Sequence, residues 1–105
     1  MINIEEVANQ TGLERCDLEL IAAAFERVAV ESMDHLAQAA KEADSALACK
    51  ALHKLAGSSA GLLGQPTINS TAKAHEEAIK AGEPVDLSSA YQQLAGLLGQ
   101  IGIRL

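Results

Sequence analysis

Apolar positions along the chain recur at intervals of three and four, the spacing of one helical face, and no stretch alternates with period two long enough to make a strand. The first signal is short: Asn3 followed by Glu6 is a capping pair for a helix through Asn9, with Ile4 and Val7 on its inner side. From Leu18 the stripe runs Leu18, Ile21, Phe25, Val28, Ser32, Leu36, Ala39 and Ala43, interrupted by a single serine. Asp44 with Ser45 offers the cap of the next helix, whose inner positions are Leu47, Ala51, Leu55, Ser58 and Leu62 and whose end falls near Gly64. Pro66 suits a first turn and Gly82 a stop, with Ile68, Ala72, His75 and Ile79 on one face between them, and Pro84 bars continuation. Asp86 caps a last helix with the stripe Leu87, Tyr91, Leu94, Leu98, Ile101 and Leu105. Four substantial helices behind a short N-terminal helix, joined by short connections, predict an all-α antiparallel four-helix bundle.

Composition supports one such domain over 1–105 and narrows its class. Apolar residues at 49% and charged ones at 21% are ordinary globular values, which argues against disorder. With Phe25 and Tyr91 as the only aromatics, the core must be aliphatic and rich in alanine, which suits closely packed helices. A net charge of −6 is the wrong sign for gripping a phosphate backbone, so nucleic acid is not an expected partner. Cys16 and Cys49 are too few for a disulfide framework or a metal set and are expected to be buried and inert in a reducing compartment. Asn3, Glu5, Glu6, Asn9 and Gln10 interrupt any signal-peptide run, and polar residues from Ser58 to Ser70 break the longest uncharged stretch before it could span a membrane. The expectation is a cytoplasmic, membrane-free monomer, and Met1 with short ends fits a stand-alone protein.

The segment 51–64 carries chemistry that packing alone does not require. At about 100° per residue, His53 lies roughly 200° from both Ala51 and Leu55, so its imidazole is expected to face water. Its neighbours one turn away are Lys50, Cys49, Ala56 and Gly57, and Ala60, Gly61 and Gly64 continue that side. A mid-helix glycine costs about 1 kcal/mol relative to alanine. Gly57 therefore implies close approach, either by a bulky partner brought against the ring or by another helix of the bundle.

This pattern resembles the histidine-containing phosphotransfer (HPt) domain family over nearly the whole chain. The family's motif has a histidine, an apolar residue at two, often a lysine at three, glycine at four, small residues at five and six and a glycine about ten on. Here these positions are His53, Leu55, Ala56, Gly57, Ser58 and Ser59, with Leu63 at ten and Gly64 at eleven. The lysine at three is replaced by Ala56, leaving Lys54 or Lys50 to offset the charge of a phosphoryl group, and the later glycine arrives one residue late. Family members often set a polar side chain from the next helix against the ring. That position falls on His75 without an insertion and on Glu76 with one, and His75 also reads as a core-edge histidine.

The resemblance implies that His53 accepts a phosphoryl group from the aspartate of one receiver domain and passes it to another, reversibly and without hydrolysis. The chain would be a phosphocarrier of a multistep phosphorelay and not an independent enzyme, with response-regulator receivers and a hybrid sensor kinase as partners. It would hold no cofactor of its own, Mg2+ being supplied by the receiver's acidic pocket. A free imidazole titrates near pH 6.5, so a neutral ring can attack without a dedicated base. No P-loop, nucleotide loop or Cys-His or Ser-His-Asp set is present to support kinase or hydrolase activity. Two other classes remain: a helical adaptor that binds receivers or another partner without phosphate, and a metal protein using His35, His53 and His75 together. Small residues Ala46, Ala56 and Ala60 are expected to form a shallow docking surface beside His53, and Gly96, Gly99 and Gly102 either allow close packing or mark a frayed end.

Overall fold

The structure is a computed structural model that describes residues 5, 8, 9, 12, 14–59, 66–103 and 105. Four helices make up the described chain: α1 (Arg15–Glu42), α2 (Ser45–Ser59), α3 (Pro66–Lys80) and α4 (Leu87–Gln100). Among the described residues there is no strand, so the fold is all-α. The N-terminal helix expected at 3–9, the end of the second helix near Gly64, and the positions Ala60, Gly61, Leu62 and Leu63 lie mostly or wholly outside the described residues. Packing links the helices in a cycle, α1 against α2 and α4, and α3 against α2 and α4. No helix among the described residues is long and apolar enough to cross a membrane.

The helix ends follow from identifiable residues. Asp44 Oδ1 accepts the Leu47 amide at 3.1 Å and so caps α2. Asp86 caps α4 by accepting from the amides of Ser88 and Ser89. α3 begins at Pro66 and stops at Gly82, whose φ of +76° lets the Glu83 and Gly82 amides return to the carbonyls of Ala78 and Ile79. The same arrangement closes α1 at Ala43, an alanine held at φ 54° while the Asp44 amide reaches Ala39 O at 2.9 Å. Ala43 is therefore an exposed turn residue and not the end of the inward stripe.

The last helix is shorter than its stripe suggested. Gly102 takes φ +87°, the Ile103 amide bonds Leu98 O, and the Gly102 amide bonds Gly99 O. The chain turns there, so Ile103 enters the core at 4% exposure while Leu105 is left half in solvent. Gly102 is thus a helix stop. Gly96 and Gly99 are exposed, and a Cβ at either would meet nothing within 4 Å among the described residues, so no described helix packs closely there.

Phe25, Ala29, Met33, Leu36 and Ala39 of α1 form one core cluster with Ala48, Ala51, Leu52, Leu55 and Ala56 of α2, Ile68 and Ala72 of α3, and Leu94 and Leu98 of α4. Ser32 is buried in this stripe with no partner for its hydroxyl among the described residues. Neither cysteine is buried as expected: Cys16 is exposed and Cys49 half-buried, both as free thiols. Cys16 lies two residues, about 200°, from Leu18, and Cys49 falls one turn from His53 on the outward side of α2.

Candidate functional site

His53 sits in the middle of α2 with its side chain 76% exposed, as its wheel position requires. The core-facing positions Ala48, Ala51, Leu52, Leu55 and Ala56 fix the helix's rotation, and the imidazole is carried on the opposite side. Ala56 is 6% exposed, so of the small residues expected to frame the ring it belongs to the core. Ala46 is exposed and Ala60 lies outside the described residues.

The ring is oriented by α3. His53 Nδ1 lies 2.8 Å from Glu76 Oε2, and the Glu76 side chain is only 7% exposed. An ionised carboxylate only accepts hydrogen bonds, so in the neutral ring Nδ1 carries the proton and donates it to Glu76. Nε2 then keeps its lone pair, and it has no partner among the described residues. Glu76 also receives Lys80 Nζ at 3.3 Å on the same oxygen. These two contacts compensate the burial of a charge that otherwise would be costly.

Of the two alternatives for the residue beside the ring, the structure places Glu76 there. The inward stripe of α3 runs Ile68, Ala72, Glu76, with His75 half-buried at its margin. His75 Nε2 instead meets Gln93 Oε1 at 2.9 Å, a link between α3 and α4. His35 is exposed on α1. The three histidines do not gather into one ligand set among the described residues. The one set there of three or more His, Cys, Asp or Glu residues with donor atoms mutually within 4.8 Å is the exposed trio Glu14, Cys16 and Asp17.

Lys50 and Lys54 are exposed and line, together with Cys49, His53, Glu76 and Lys80, an open groove of about 380 Å³. Three ammonium groups against one carboxylate make this groove locally positive on a chain of net charge −6. A second tie between the helices lies toward the end of α2, where Asn69 Nδ2 donates to Ala56 O at 2.6 Å. Gly57 is exposed in helical backbone, and a Cβ built there would meet nothing within 4 Å among the described residues. Among the described residues, close packing of another helix is therefore not what keeps position 57 small. Ser58 Oγ donates to Leu55 O at 3.0 Å within its own helix, which turns that hydroxyl away from His53.

Lys80 is the member of this groove that sequence reasoning passed over. The signal was present in the i, i+4 order of Glu76 and Lys80, but nothing in the sequence showed that Glu76 would turn inward. No family model, curated protein or solved structure matches the chain.

Proposed function

We propose that the chain is a histidine phosphotransfer protein, with His53 as the phosphoacceptor between receiver-domain aspartates. The observation that carries this reading is an imidazole 76% exposed on a helix, with Nδ1 held 2.8 Å from a buried carboxylate and Nε2 left open. In the proposed reaction the Nε2 lone pair attacks the phosphorus of an aspartyl phosphate. The N–P bond forms as the P–O bond breaks, and the aspartate carboxylate leaves with the electron pair. No proton needs to move, because the hydrogen stays on Nδ1, which donates a hydrogen bond to Glu76, and the carboxylate faces the positive charge that the ring develops. Reversal of the same steps delivers the group to a second receiver.

The surroundings support docking of an acidic partner. Lys50, Lys54 and Lys80 give the groove a positive potential toward an acidic pocket, where a receiver's Mg2+ would lie. Gly57, one turn from His53, has no close neighbour among the described residues, which suits the approach of a partner's backbone. The antiparallel bundle belongs to this reading and is favoured by the order of the ties, Asn69 with Ala56 and Glu76 with His53, which run in opposite senses along α2 and α3. A monomer in the cytoplasm is the corresponding state. The test is transfer from a phosphorylated receiver, followed as acid-labile, base-stable label. Wild type should become labelled and His53→Gln should not; equal labelling of both would refute His53 as the carrier, and no label on either would leave an adaptor that docks without phosphate.

A further inference from the structure

A carboxylate beside a nucleophilic imidazole has two opposed effects. As an acceptor it fixes the proton on Nδ1 and frees Nε2. As an anion it also favours the imidazolium, in which both nitrogens carry hydrogen and neither can attack. Glu76 is placed for both, since its side chain is 7% exposed and water screens it little. One turn further along α3, Lys80 brings Nζ to 3.3 Å from the same Oε2 that meets His53 Nδ1 at 2.8 Å.

We propose that Lys80 is a positioning residue that acts through Glu76: its ammonium group offsets the carboxylate, so that the contact to His53 selects the tautomer without holding the ring protonated. This inference rests on the carrier reading of His53. Among the described residues, the groups facing the ring are Cys49, Lys50 and Lys54 from α2 and Glu76 and Lys80 from α3, with none from α1 or α4. Lys50 and Lys54 add positive potential from the ring's own helix. Among the described residues, Lys80 is the lysine that reaches the Glu76 carboxylate, beside the contact from the His53 ring. The lysine is 61% exposed and Glu76 keeps its contact with His53 when Lys80 is replaced, so Lys80→Met is expected to fold, which far-UV circular dichroism checks.

The experiment uses the full chain and phosphoramidate, a small donor that needs no docking surface. Its P–N bond breaks, ammonia leaves and Nε2 forms the bond to phosphorus. Ring 15N shifts at neutral pH report the cationic fraction and the tautomer of His53. Lys80→Met should enlarge the cationic fraction and slow labelling several-fold at neutral pH, with recovery at higher pH, and Lys80→Arg should restore both. In a Glu76→Ala background, Lys80→Met should change neither readout. An unchanged ring spectrum in Lys80→Met, or an undiminished effect without Glu76, would overturn the role of Lys80. Failure of wild-type His53 to take label would instead refute the carrier, while the ring spectrum still decides whether Lys80 acts on the imidazole.

Discussion

Gly57 offers a perturbation in which stability and transfer should move in opposite directions. The residue has helical backbone, lies two positions before the last residue of α2, and would present a new Cβ that meets nothing within 4 Å among the described residues. Replacement by alanine removes unfolded-chain freedom without a clash, which stabilises by about 0.4–1 kcal/mol. Proximity to the helix end favours the lower part of that range. For a domain of this size the gain corresponds to a rise of roughly 2–8 °C in Tm, read by far-UV circular dichroism because the chain has no tryptophan. Gly57→Gln should likewise fold, yet its longer side chain fills the approach beside His53. Transfer from a phosphorylated receiver should then slow by about tenfold or more, equivalent to roughly 1.4 kcal/mol, while labelling by phosphoramidate stays near the wild-type rate. A lowered Tm in Gly57→Ala would show that position 57 packs against another part of the chain. Unimpaired receiver transfer by Gly57→Gln would refute the argument that the gap serves a partner.

Glu76→Ala should release the tautomer preference of His53 and slow its labelling several-fold, with ring 15N shifts showing more of the Nε2-protonated form; an unchanged tautomer ratio would contradict the assignment of Glu76. Ala43→Gly should stabilise by about 0.5–1 kcal/mol in chemical denaturation, because an L-residue at φ 54° carries a Cβ penalty that glycine escapes. The Asp86 carboxyl is held below its ordinary range by the Ser89 amide first, then by the Ser89 hydroxyl and the Ser88 amide. Its depressed folded-state pKa means that the stability it contributes is present above the ordinary aspartate range and is lost as pH falls through the lower folded value. Asp86→Ala should therefore melt earlier than wild type at neutral pH, with the difference fading below about pH 4, whereas Asp86→Asn keeps the cap without that pH dependence.

The legible parts of the fold were those governed by local chemistry. Asp44, Pro66, Gly82 and Asp86 mark helix ends in the sequence because a cap or a left-handed turn involves only residues within one turn of one another. The outward aim of His53 was legible for the same reason: one helical period relates it to Ala51 and Leu55 whatever lies around them. Ile103 was not legible, since the stripe through Ile101 to Leu105 presumed an uninterrupted helix and Gly102 turns the chain before it. Cys16 and Cys49 illustrate a residue type often buried but placed here off the inward face.

The sequence by itself determined that the described chain would be helical, where its capped ends fall, and that one histidine would stand away from the apolar side. Tertiary structure alone decided which partner that histidine receives. Hydrophobic periodicity sorts Glu76 with the exposed residues, and the choice between His75 and Glu76 turns on a rotation of α3 of one residue, about 100°. Only when α3 packs on α2 does a buried carboxylate find both an imidazole and an ammonium group to compensate its lost hydration, and that pairing exists in three dimensions before it can be read in one.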